Sequence, residues 1–190
     1  MERSHAILIR LTKLTDTSLI VHWFTADHGI IKTVAKGARN PKSPFAGQLD
    51  LFFGAEISWI SARTGELHSL REVQVTECRE AIRGEYNAML LSAYCCRLFE
   101  LLIERDHPEP ELFDLLKRAL DHVATDGASS KALRHFEHET ARILGLSHER
   151  KQAAPVLREM LGSLPPQREQ LLERLSGKHD FPFSERDSGD

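Results

Sequence analysis

Between Thr17 and Phe24 the side chains alternate, with Leu19, Val21 and Trp23 on one face and Ile20, His22 and Phe24 on the other. A period of two belongs to a strand, whose successive side chains point to opposite faces. Ala26-Asp27-His28-Gly29 follows as turn chemistry, with Gly29 able to take positive φ. Ile30 to Ala35 then returns, so residues 17–35 read as a hairpin. Further on, Leu51, Phe53, Ala55, Ile57 and Trp59 recur at the same period. Arg63-Thr64-Gly65-Glu66 makes a second turn, and Leu67 to Val75 returns from it. With Ala6 to Leu11 in front, this predicts about five short strands before residue 80. Such a count suits a small closed barrel of the OB type. An SH3-like barrel gives the same pattern, so the count alone leaves both open.

Near Glu77 the period changes to that of a helix. Ile82, Tyr86, Met89, Leu90, Leu98, Leu101 and Leu102 recur at spacings of three, four or their sums. That predicts one apolar stripe ending at His107-Pro108-Glu109-Pro110. A second helix is expected from about Glu109 to Ala124, closed by Thr125-Asp126-Gly127. A third begins near Ser129, carries Leu133, Phe136, Ala141 and Leu144 inward, and stops at Gly145. Short apolar segments follow at Val156 to Leu161 and at Leu171, Leu172 and Leu175, broken by Pro165-Pro166. The tail after Gly177 is polar and is expected to fray. The fold class is therefore a barrel at residues 1–79 and a helical domain at 80–190, all-β followed by all-α.

Composition narrows the class without fixing it. The chain is 41% hydrophobic and 28% charged, ordinary for a globular protein. No apolar run approaches the ~20 residues of a membrane helix. The start, Met1-Glu2-Arg3-Ser4-His5, has an acid where a signal peptide would be basic. A cytoplasmic protein with no membrane association is the expectation. Cys78, Cys95 and Cys96 have no framework spacing and are expected to be buried free thiols.

The net charge is −3, so the distribution of charge matters more than its sum. Residues 1–80 carry 10 Lys/Arg against 9 Asp/Glu, and residues 81–190 carry 15 against 19. Lys32, Lys36, Arg39 and Lys42 fall between Asp27 and Asp50 with no carboxylate among them. The segment Ala35 to Pro44 adds Gly37, Asn40 and two prolines, so it offers backbone N–H groups beside cations. Phosphate oxygens suit that combination, because N–H donors position them and Lys/Arg neutralise them. A merely solvated basic loop is the alternative. Arg10 and Lys13 are the further cations that a DNA-binding groove would recruit. Trp23, Phe24, Phe52, Phe53 and Trp59 sit among apolar neighbours and are assigned to the core, though one of them, or His22, could stack a base. His135, His138 and Glu139 share one helix, and His148 is near in sequence. They form a weak metal candidate, and no metal is expected. There is no phosphate-binding glycine loop of the Walker type, no nucleophile-elbow serine, no HExxH and no CxxC pair. The default is a binding module that is not an enzyme and needs no cofactor.

One family fits the order of residues. Ala6-Ile7-Leu8-Ile9, Thr15 to Val21, Phe24-Thr25, His28-Gly29-Ile30 and Ala35-Lys36-Gly37-Ala38-Arg39 resemble the N-terminal domain of the RecO family. Tyr94 followed by Phe99-Glu100-Leu101-Leu102, then Leu112 to Leu116, and Phe136-Glu137 before Leu144-Gly145-Leu146, resemble its helices. The resemblance covers roughly residues 5–147. It implies an OB-fold and then a helical domain, with binding of single- and double-stranded DNA and annealing of complementary strands. It also implies partnership with RecR and the single-stranded-DNA-binding protein, so that the recombinase RecA is loaded at gaps. Many members carry a four-cysteine zinc module after the Gly145-Leu146 position. Here Ser147 to Lys151 contains no cysteine, so the zinc module is not expected and the last helices look shortened. A generic OB or SH3-like module for RNA or a protein partner is the competing reading.

Overall fold

The computed structural model describes residues 1–105, 107–146 and 152–177. Five strands, β1 (Glu2–Lys13), β2 (Leu19–Thr25), β3 (Gly29–Ala35), β4 (Gly54–Ile60) and β5 (Leu67–Glu77), close into a barrel in the order β1-β2-β3-β5-β4. Neighbours are antiparallel except β3 and β5, which run parallel through Lys32 and Leu67, Thr33 and His68, and Val34 and Ser69. This pairing distinguishes the OB-type barrel from a simple meander and resolves the choice that strand counting left open. Register shifts between Leu8 and Arg10, Gly54 and Ala55, and Ser58 and Trp59 supply the bends that closure needs. Closure leaves no free sheet edge.

Alternation along the strands divides the apolar residues between two cores. Leu8, Val21, Trp23, Ile31, Ile57 and Trp59 fill the barrel interior. Trp23 Nε1 donates to Thr33 Oγ1 at 2.9 Å, so the buried indole N–H is satisfied. Ile7, Ile9, Phe24 and Ile30 point outward and join the core of the helical domain. Phe24 is fully buried there, with ring centroids 5.9 Å from Phe99 and 5.4 Å from Phe113, both edge-on.

The expected strand over Leu51 to Trp59 needs correction. β4 begins at Gly54, and Leu51 and Phe53 precede it in a turn. Phe52 takes φ 71°, which breaks the two-residue period and turns its ring into the helical core. The sequence places β1 at Ala6 to Leu11, but the strand extends from Glu2 to Lys13.

A 3-10 turn (Glu80–Gly84) leads into α1 (Tyr86–Leu102), α2 (Pro110–Asp126), α3 (Ser130–Ile143), α4 (Ala153–Leu161) and α5 (Gln167–Leu175). The single stripe from Ile82 onward is thus two elements. Glu85 interrupts it by capping α1, its carboxylate accepting from the backbone N–H groups of Asn87 and Ala88 at 2.9 and 2.8 Å. Tyr86 and Leu101 are exposed rather than in the stripe, and α1 ends at Leu102, before the prolines. Pro110 opens α2 at a position where a missing N–H costs nothing. Ser129 caps α3 by accepting from Ala132 N at 3.0 Å. Cys95 and Cys96 are buried, as expected, but Cys78 is exposed. Among the described residues no helix is long and apolar enough to cross a membrane.

Two contacts lock the barrel against the helices. Arg79, at φ 47°, has its side chain almost wholly buried and donates to the Phe52 carbonyl and to Asp121 on α2, each at 2.7 Å. Gly29 lies so close to the His107 backbone that any side chain there would strike its carbonyl, and its φ of 65° also favours glycine.

Candidate nucleic-acid interface

The connection from β3 to β4 folds back on itself through successive turns, with Asn40 N donating to Gly37 O, Ser43 N to Asn40 O and Ala46 N to Ser43 O. Phe45 plugs it into the barrel core. That anchor leaves Lys36, Arg39 and Lys42 exposed on a loop of defined shape. Arg39 is held against the turn between β1 and β2. Its guanidinium donates to the Asp16 carbonyl at 2.9 Å, and its backbone N–H donates to the Thr17 carbonyl at 3.0 Å. Lys13 pairs with Asp16 at 2.6 Å on the same turn. Lys36 and Lys42 make no ion pair among the described residues. The structure therefore brings Lys13 and Arg39 together at one turn, with Lys36 and Lys42 on the adjoining loop.

Arg10 and Lys32 stand apart from that group. Arg10 on β1 is opposite His22 on β2, and His22 is opposite Lys32 on β3. Both cations are already engaged, Arg10 with Glu100 at 3.3 Å and Lys32 with Glu66 at 3.6 Å. Glu100 is the residue that sequence reasoning missed. In its helical setting it reads as one more surface carboxylate, and only the packing of α1 on the barrel brings it to His22 and Arg10. Its side chain is 13% exposed, and it also takes Arg97 at 2.5 Å and stands 3.0 Å from His22 Nδ1.

Burial pushes the Glu100 carboxyl up. The donors of His22 and Arg97 and the charges of Arg10 and Arg97 outweigh burial and bring it from the ordinary 4.5 down to about 2. A depressed carboxyl stabilises the fold fully above its unfolded value and loses that contribution as pH falls through the folded value. Stability of the native chain is expected to fall by up to about 3 kcal/mol from this one group across that window. A Glu100→Gln variant should lack this component between pH 4.5 and 2 in urea titrations run at several pH values. Parallel pH profiles for the two proteins would contradict the assignment.

None of the aromatic residues that the sequence offered for base stacking is available for it. Trp23, Phe24, Phe52, Phe53 and Trp59 are each at most 9% exposed, and His22 is 7% exposed. The core reading holds for all five, and the outward-facing alternative fails because both faces of the barrel wall are covered where they lie. His135 and His138 are exposed, and Glu139 pairs with Arg142 at 3.0 Å. Among the described residues no three His, Cys, Asp or Glu side chains converge as a metal site would require. His148 and the cysteine-free segment from Ser147 to Lys151 lie outside the described residues, as does the tail after Gly177. A separate groove of about 580 Å³ opens among α1, α2 and α3, lined by Leu91, Leu115 and Phe136 with His122, Lys131 and His135.

A closed β1-β2-β3-β5-β4 barrel with a cationic β3–β4 loop, followed by five helices among the described residues, defines an OB-fold protein with a helical extension. Residues 1–79 match the family described as recombination protein O N terminal, and residues 83–149 match recombination protein O C terminal. The chain belongs to the RecO family. It is 32% identical over 144 residues to the DNA repair protein RecO of Pelobacter propionicus, covering 76% of this chain and 58% of that protein. Against the DNA repair protein RecO of Rhodopirellula baltica the identity is 33% over 142 residues, covering 75% and 53%. For the protein of that name from Methylococcus capsulatus it is 33% over 141 residues, covering 74% and 57%. The chain thus spans a little over half the length of the curated relatives it matches. The helices α4 and α5 lie beyond the matched segment.

Proposed function

We propose that this chain acts in DNA repair as a recombination mediator, binding and annealing single-stranded DNA and helping to load the recombinase at gaps. Its work is binding, without a chemical step of its own. Residues 1–79 are the nucleic-acid-binding unit and residues 80–190 the helical unit, and the chain works with a RecR-type protein and the single-stranded-DNA-binding protein. The observation that carries the reading is the barrel of a RecO-family chain presenting exposed Lys36 and Lys42, unpaired among the described residues, on a loop anchored by Phe45. Lys13 and Arg39 adjoin them and complete the loop site, with Arg10 and Lys32 further along the same strands. Cations without internal partners gain most from neutralising phosphates, and each contact releases condensed counterions.

Salt titration of binding to single-stranded DNA tests this. Three or four contacts give a slope of log K against log salt of roughly −2 to −3. Affinity should depend little on base sequence, since phosphate contacts carry no sequence information. Arg39 is partly committed to the turn carbonyls, so the test substitutes Lys36→Glu and Lys42→Glu together. The pair should bind more weakly to all sequences and flatten the slope by about 1.4. Loop substitutions of this kind cost within ~0.5 kcal/mol of stability, and circular dichroism checks that. A folded double variant with the native slope and affinity would remove the loop from the site.

A further inference from the structure

Where α1 meets the barrel, four cations share two carboxylates. Arg10, His22 and Lys32 occupy matched positions on β1, β2 and β3. Strand spacing puts the first and last of them about 10 Å apart. The same outward face carries Phe24 and Ile30, which pack into the helical core, so α1 is held directly beside this row. The end of α1 delivers Arg97 and Glu100, and the segment after it delivers Arg105, whose backbone bridges to Gly29 and Ile30. Glu100 takes Arg10 and Arg97 and faces His22. Glu66, from the turn between β4 and β5, takes Lys32 and Arg105.

A purely structural ion pair needs one cation per carboxylate. Here Arg10, Arg97, Lys32 and Arg105 face Glu100 and Glu66, and counting exposed Glu104 beside them still leaves a surplus of positive charge. The surplus is not sealed off. The side chains of Arg10, Arg97 and Arg105 are 49%, 41% and 49% exposed. Each guanidinium has five N–H donors and spends only part of them on its carboxylate. Like charges gathered in a half-open seam repel unless an anion completes the set, and arginine forks match phosphate oxygens in geometry.

We infer that this seam, made of Arg10 and Lys32 from the barrel and Arg97 and Arg105 from the helical side, is a second phosphate-binding segment for the backbone of single-stranded DNA. It rests on the DNA-binding reading of the loop and extends it. Lys32 on β3 lies four residues before Lys36, about 13 Å along the chain, and the even spacing keeps the two on one side of the strand. A strand of DNA leaving Lys36 and Lys42 therefore meets Lys32 first, crosses the row to Arg10 and ends on the helical domain. Glu100 is a positioning residue in this arrangement, holding the Arg10 and Arg97 forks side by side and competing with phosphate for them.

The test uses the full chain, oligothymidylate as the probe, and salt titrations of an Arg97→Gln/Arg105→Gln pair. Weaker binding and a slope flattened by about 1.4 are expected. An Arg97→Lys/Arg105→Lys pair keeps the charge and should keep the slope, which a merely structural role for these side chains would not explain. Glu100→Gln raises the surplus by one and should bind more tightly with a steeper slope. If the glutamine pair does not fold, Glu100→Gln decides alone, and unchanged or weaker binding there overturns the seam. The loop pair Lys36→Glu/Lys42→Glu is run beside them. Loss in the loop pair with native behaviour in the glutamine pair removes the seam and keeps the loop. Loss in the glutamine pair alone moves the site to the seam, and native behaviour in both removes the DNA-binding reading itself.

Discussion

Arg168→Met is expected to lower the unfolding free energy by about 3–5 kcal/mol, because it strands a buried carboxylate. Glu137 on α3 has a side chain only 2% exposed. Its Oε1 accepts from the Tyr94 hydroxyl of α1 at 2.7 Å and from Arg168 Nε of α5 at 2.6 Å, and Oε2 accepts from Arg168 Nη2 at 3.3 Å. Burial and the neighbouring Glu137 charge push the Tyr94 hydroxyl far above its ordinary range, so it remains a donor throughout the accessible pH range. Removing the guanidinium leaves one donor for a full negative charge in the interior. Replacing both partners with apolar side chains removes that charge too. Glu137→Met/Arg168→Met should therefore be more stable than Arg168→Met alone, with the hydroxyl of Tyr94 the one group left unsatisfied. Urea unfolding of the three proteins measures this. A single variant within about 1 kcal/mol of the native chain would mean that the carboxylate finds solvent.

Phe24→Ala is the second large effect, with an expected loss of about 3–5 kcal/mol. The ring is fully buried between Phe99 and Phe113, which belong to α1 and α2 and are themselves fixed by the helical core. Rings held from both sides cannot collapse into the space, so the cavity term adds to the lost transfer energy. Phe24→Leu keeps most of the volume and should cost much less. Denaturant midpoints, read at constant slope, separate the two variants. Equal losses would show that edge-on ring geometry, and not volume, sets the cost.

Trp23 and Phe24 show what the chain makes legible. They are adjacent, both large and both buried, and the two-residue period correctly puts them on opposite faces of β2. What alternation cannot state is that both faces are covered, one by the barrel interior and the other by helices. The same limit explains Glu100. A helical wheel marks it as polar, and its partners on β1 and β2 lie 78 to 90 residues away in the chain, where no local pattern reaches. Glu85 and Phe52 mark a different limit. A cap inside an apolar stripe and a positive φ at a phenylalanine are single-residue events, invisible to periodicity. The loop cations were legible because a run without carboxylates is a property of sequence alone, but their division into engaged and open side chains came from the turn that Arg39 clasps.

The outward row of Ile7, Ile9, Phe24 and Ile30 has a consequence for how this protein can be divided. Cut at residue 79, the barrel would keep all its strands and its own interior, yet carry to its surface a contiguous apolar band that water would meet. The helices would lose the floor on which Leu98, Phe99 and Phe113 rest. Neither half would be a soluble piece in its own right. Either half expressed alone should therefore expose apolar surface and aggregate more readily than the whole chain.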